Sequence, residues 1–175
     1  MRKGVYCIPL LVAMEVYNTY AAQPERLDDT TLMKGVRPEL VAEARAWARD
    51  EHATPGALAA LDARYQVGRA NQQKLVRAGA RIAMGTDKGT RLNCHAHGNH
   101  VRELQIYTEL GMTPLEAITS ATLRGAELLG LGTTLGTLDV GKIADVLVVA
   151  GDPSTRIGDL EHVRMVFKGG TLVQR

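Results

Sequence analysis

Aromatic residues are scarce in this 175-residue chain: 4%, with one Trp, one Phe and five Tyr. Stacking platforms for single-stranded nucleic acid need more aromatic surface than that. Charge of one sign is missing too. The 21 basic and 19 acidic residues leave a formal net charge of +2, so there is no electrostatic footprint for nucleic acid or an anionic membrane. Cysteine is limited to Cys7 and Cys94, far apart, which excludes a disulfide framework and fits a reducing compartment. No apolar run is long enough to cross a membrane. Also absent are a phosphate-cradling glycine loop, a dinucleotide fingerprint and a nucleophile elbow.

What is there is an ordinary globular composition, 45% hydrophobic and 23% charged, enough for one domain with a core or a domain plus a small appendage. Residues 1–22 have the outline of a secretory signal: three basic or start residues, an apolar run, then small residues. Pro9 and Glu15 interrupt that outline. The reading adopted is a buried parallel-type strand over residues 4–11, with Pro9 at its end, and a cytoplasmic location.

Residues 12–20 read on as helix, and residues 23–35 as a polar loop. Pro38 opens a helix with Leu40, Val41, Ala44, Trp47 and Ala48 as its apolar face. Thr54, Pro55 and Gly56 break it. A second helix follows over residues 57–78, with Leu58, Leu61, Tyr65, Leu75 and Val76 as candidate core and Gly79 as C-cap. The apolar strand at residues 82–84 comes next, with a crossover long enough for parallel pairing with the first strand. Immediately after it, Gly85-Thr86-Asp87 places one carboxylate past the strand's carboxyl end. Binding and catalytic residues collect there in parallel α/β folds, but aspartates also serve there as turn formers and helix caps.

Cys94, His95, His97 and His100 form the densest set of metal-capable side chains. Either they bind a metal or they lie in a solvated loop; their spacing matches no standard Cys/His zinc pattern. His52 and His162 read as structural or exposed. Residues 101–110 read as helix. Thr113, Pro114 and Glu116 spell a capped helix start, and a break is expected near Thr122 and Gly125. Beyond Gly132 the chain turns to β: a strand over residues 143–150, a turn at Asp152-Pro153, then two strands joined at Gly169-Gly170.

The order of Gly85-Thr86-Asp87, His97-Gly98, Glu103-Leu104, residues 110–117, Ala121-Thr122, residues 127–132, Gly136-Thr137-Leu138, residues 141–149, Gly151-Asp152-Pro153 and residues 163–173 closely resembles the carboxyl-terminal portion of the amidohydrolase superfamily. The likeness is to its imidazolonepropionase-like and prolidase-like branch, and it is good from residue 79 onward and looser before. It implies an α/β fold: the C-terminal part of a metal-dependent (β/α)8 TIM barrel over residues 1–137, and the C-terminal strands of a small composite β-sandwich over residues 138–175. Residues 5–11 would be the seventh barrel strand, and Gly85-Thr86-Asp87 would end the eighth. Asp87 would be both metal ligand and general base, with one or two divalent ions, zinc by resemblance. His97 would sit in a substrate-positioning loop.

The implied function is hydrolysis of carbon–nitrogen bonds in small-molecule substrates, non-peptide amides, cyclic amides or dipeptide-like compounds. The family's other metal ligands belong to strands one to six, ahead of residue 1. The expectation is therefore a C-terminal portion, inactive alone and partnered by the missing N-terminal half or by copies of itself. The alternative is a non-catalytic remnant, or a subunit that completes a partner's barrel.

Overall fold

The computed structural model describes residues 4–30, 33, 36–49, 54–88 and 99–174. The first strand is much shorter than residues 4–11 suggested. β1 is Tyr6–Cys7 and α1 (Leu11–Ala22) begins four residues later. Residues 12–20 are helical as read, with Val12, Val16 and Tyr20 buried, and Leu11, read as strand, is buried from the same helix. A continuous apolar run reads the same whether a strand or a buried helix carries it.

A 3-10 turn (Pro24–Asp28) occupies part of the stretch expected to be loop, burying Leu27. α2 (Pro38–Arg49) starts on Pro38 as expected. α3 (Pro55–Arg77) starts two residues earlier than expected because Thr54 caps it, its hydroxyl accepting from the Ala57 N–H at 3.3 Å. Thr54-Pro55-Gly56, read from the sequence as a break, is thus the next helix's beginning, while α2 has ended by Arg49. Of the five α3 core candidates, Tyr65 is buried and Leu75 is exposed. β2 (Arg81–Ile82) pairs parallel with β1, Tyr6 opposite Arg81 and Cys7 opposite Ile82. The ladder extends by one bond, Ala83 N–H to the Cys7 carbonyl at 3.0 Å. Met84, expected in the strand, donates instead to the Ser120 carbonyl at 2.9 Å.

α4 (Asn99–Glu109), α5 (Pro114–Ala121) and α6 (Leu123–Leu128) follow, with the break at Thr122 where it was expected. β3 (Val146–Val149), β4 (Val163–Lys168) and β5 (Thr171–Gln174) form a separate antiparallel sheet in sequence order. Its β4–β5 turn uses Gly169 and Gly170, both at positive φ (56° and 82°), as a tight hairpin of right-handed twist requires. Another 3-10 turn (Ile157–Glu161) links β3 to β4, with Ile157 buried.

Two hydrophobic clusters hold these parts. One joins α1, α2, α3 and α4 through Leu11, Val12, Val16, Tyr20, Ala44, Tyr65, Ile106 and Leu110. Trp47 packs on it, edge-on to Tyr17 with ring centroids 5.2 Å apart. The other gathers Ile82, Leu104, Tyr107, Ala117 and Ile157. α4 buries residues in both, which makes it the element between the helical layer and the strand pair.

Candidate functional site

β1 and β2 end side by side, and both chains leave them in an unusual way. Among the described residues, only Leu10 (φ 56°) and Asp87 (φ 50°) are non-glycine residues with positive φ. Each follows one of the two parallel strands. Such conformations cost of order 1–3 kcal/mol and persist where the surroundings over-determine them, often at functional sites.

The two turns touch. A Cβ placed on Gly85 would stand 2.6 Å from Ile8 Cγ2 and 2.9 Å from Leu10 Cδ2. Glycine at this position lets the segment after β2 pass directly against the turn after β1. Thr86 is then buried, while Asp87 faces solvent. The carboxylate of Asp87 is therefore presented at the carboxyl end of the parallel pair, the position the sequence suggested.

Beneath these turns lies a second carboxylate. Glu103, on α4, has no exposed surface. Its Oε1 accepts from the Leu11 N–H at 3.0 Å and its Oε2 from the Val12 N–H at 2.6 Å. Burial pushes its carboxyl above the usual carboxylate range, against the opposing pull of these two N–H groups. Tyr107, one helical turn along, is also fully buried. Burial first, and then the Glu103 charge, raise its phenol. Its hydroxyl neighbours the Glu103 carboxylate and the Gly85 backbone, without a well-formed hydrogen bond to either among the described residues. Glu103 figured in the sequence as part of a motif and without a role. The readable signal was the absence of a capping residue before α1: a helix opening on Leu10 must take its acceptor from elsewhere.

A charged cluster flanks this arrangement. Arg102 grips Glu15 of α1 through two nitrogens, at 2.7 and 2.6 Å. It also donates to Glu109, which Arg69 of α3 reaches at 2.9 Å. The Tyr65 hydroxyl donates to Glu15 at 2.8 Å. Burial lifts the Tyr65 phenol to about 12. These contacts tie α1, α3 and α4 together.

The other sequence candidates divide simply. His97, with Cys94, His95 and His52, lies outside the described residues. His162 is largely exposed, 3.9 Å from Asp159 Oδ1. Among the described residues no group of three or more His, Cys, Asp or Glu gathers as a metal site. Asp87 by itself does not fit a complete metal centre.

A model of the amidohydrolase family matches residues 11–173. The imidazolonepropionase of Brevibacillus brevis is 34% identical over 113 residues, covering 59% of this chain and 25% of that protein. The imidazolonepropionase of Haloarcula marismortui is 33% identical over 119 residues, covering 68% and 25%. Among solved structures, a Xaa-Pro dipeptidase with bound methionine in the active site superposes with a TM-score of 0.67 at 29% identity, covering 99% of this chain and 36% of that one. The A. niger ochratoxinase gives a TM-score of 0.65 at 27% identity, covering 99% and 33%. The chain thus spans about a quarter of the length of these curated relatives and about a third of these structures.

Proposed function

The chain belongs to the amidohydrolase family, and from that premise we propose that it carries the last part of a hydrolase acting on carbon–nitrogen bonds. On this reading β1 and β2 are the seventh and eighth strands of a (β/α)8 barrel. Residues 1–137 are barrel and residues 138–175 a share of a small β-sandwich. The observation that carries it is the placement of Asp87, exposed past the carboxyl end of a strand in a parallel pair, where barrel enzymes collect their reactive groups.

Asp87 acts as the proton carrier. Its carboxylate takes a proton from water as the water oxygen bonds to the amide carbonyl carbon. The carbonyl π electrons move to oxygen. When the tetrahedral adduct collapses, the carbon–nitrogen bond breaks and Asp87 returns the proton to the leaving nitrogen, yielding acid and amine. Family members are in general metal-dependent. A bound divalent ion, zinc on this reading, supplies Lewis acidity to the carbonyl and the water. Among the described residues no three His, Cys, Asp or Glu side chains gather to hold it; on this reading the remaining ligands would come from other strands of the barrel. The substrates proposed are small: non-peptide amides, cyclic amides or dipeptide-like compounds. His97 is assigned to the loop at the mouth of the site.

A second reading has this chain without catalysis of its own, completing a barrel begun by another polypeptide or by a further copy. It is favoured by the open sheet: among the described residues β1 and β2 pair only with each other, leaving both outer edges free to add strands.

Zinc content and amide turnover test the first reading. The isolated 175-residue chain, incubated with Zn2+ and assayed on N-acyl amino acids and Xaa-Pro dipeptides, is expected to hold no stoichiometric metal and to turn over neither. The protein as its own cell makes it is expected to hydrolyse one of these classes and to lose about 10²- to 10⁴-fold in kcat on Asp87→Asn. Turnover unchanged by that substitution overturns the assignment of Asp87.

A further inference from the structure

α1 starts without a cap of its own. Leu10 precedes it in the left-handed conformation and offers no side-chain acceptor to the first turn. Glu103 of α4, 92 residues from Leu11 in sequence, takes that place with both carboxylate oxygens. A carboxylate on the first N–H groups of a helix gains from charge-assisted hydrogen bonds and from the helix dipole together. Four residues further, on the same face of α4, the fully buried Tyr107 packs in one cluster with Ile82 of β2 and with Met84, just ahead of Gly85. One helix therefore reaches both strand ends. Through Glu103 it holds the turn after β1, and through Tyr107 it meets the segment after β2. These turns carry Leu10 and Asp87, the two left-handed non-glycine residues among those described, and they pack on each other at Gly85.

We propose that Glu103 and Tyr107 are a positioning pair that fixes the turn after β1 and the segment after β2 in one arrangement, and so sets where the Asp87 carboxylate points. This rests on Asp87 being the reactive carboxylate. A simple cap on α1 would serve only the helix. A positioning pair transmits a change at Glu103 or Tyr107 to Asp87, with which neither has a sequence-local connection.

The full chain, labelled with 15N, gives the test through amide hydrogen exchange and chemical shifts. Glu103→Gln keeps the shape but sets an amide NH2 where an acceptor stood. Exchange at Leu11 and Val12 is expected to quicken about 10- to 100-fold, and the resonances of Thr86 and Asp87 to move. Tyr107→Phe removes one hydroxyl and is expected to move Gly85, Thr86 and Asp87 while Leu11 and Val12 change less. Leu104→Ala is the control: it lowers stability from the same helix, inside the second hydrophobic cluster, and is expected to leave Asp87 in place. Should Glu103→Gln fail to fold, Tyr107→Phe against Leu104→Ala decides alone. Unmoved Thr86 and Asp87 signals in both site variants, or equal movement in the Leu104 control, overturn the positioning role. No turnover is needed for this readout. Displaced Asp87 signals in this chain, together with no hydrolysis of either substrate class by the protein as its own cell makes it, keep the positioning pair and refute the hydrolase reading.

Discussion

Gly85 lies so close to Ile8 that a Cβ at position 85 would come within 2.6 Å of the isoleucine Cγ2. That approach joins the ends of the two parallel strands. Gly85→Ala forces the side chains of Ile8 and Leu10 aside, and overpacking of this kind costs about 1–3 kcal/mol. Urea unfolding is expected to show that loss. Gly56→Ala, where no atom comes within 4 Å of the added methyl, is expected to show none.

Thr113 and Glu116 cap α5 reciprocally. The Glu116 N–H donates to the Thr113 hydroxyl at 3.2 Å, and the Thr113 N–H to Glu116 Oε2 at 2.7 Å. Thr113→Ala is expected to cost about 1 kcal/mol in a thermal or denaturant melt. The Thr113 N–H and hydroxyl also hold the Glu116 carboxyl below its usual range. The stability it contributes is therefore present above that range and lost as pH falls through it. Glu116→Gln is expected to flatten this part of the acid limb.

Arg102 joins α4 to α1 through Glu15 and to Glu109 on its own helix. Arg102→Ala leaves the Glu15 carboxylate, already partly buried, with Tyr65 as its remaining donor, and is expected to cost about 1–3 kcal/mol. A double-mutant cycle with Glu15→Gln should return a coupling well above that of an exposed ion pair.

The acid behaviour of two glutamates differs in sign. Burial raises the Glu109 carboxyl, but the hydrogen bonds from Arg102 and Arg69 outweigh it and leave its pKa lowered. Its contribution is kept above the usual carboxylate range and lost as pH falls below it. Glu103 is raised, so its contribution is greatest below that range and declines as pH climbs through its folded value. Stability measured between pH 4 and 7 should fall less steeply with rising pH in Glu103→Gln than in the wild type.

The helices were readable because their signals are local. Pro38 and Thr113 with Glu116 each mark a start within four residues, and Gly79 and Gly111 each follow a helix end; Thr54 with Pro55 was read as a break, though it carries the same local start signal. The hairpin at Gly169-Gly170 is equally local. The strands were overestimated because β1 and β2 have one neighbour each, and Leu11, read as the first strand's last residue, is buried as helix. The position of Asp87, exposed past the carboxyl end of β2, was legible from the apolar run before it. Glu103 was not, because its partners are 92 and 91 residues away and only folding brings them together. The packing of Gly85 on Ile8 was hidden for the same reason.

The measurement that bears most directly on the central claim is amide hydrolysis by the natural protein with Asp87 and with Asn in its place, at matched thermal stability. Asp87 is exposed, so the substitution should leave folding nearly unchanged. The expected result is a loss of about 10²- to 10⁴-fold in kcat with the fold retained. Hydrolysis at the wild-type rate by a folded Asp87→Asn protein would contradict the account.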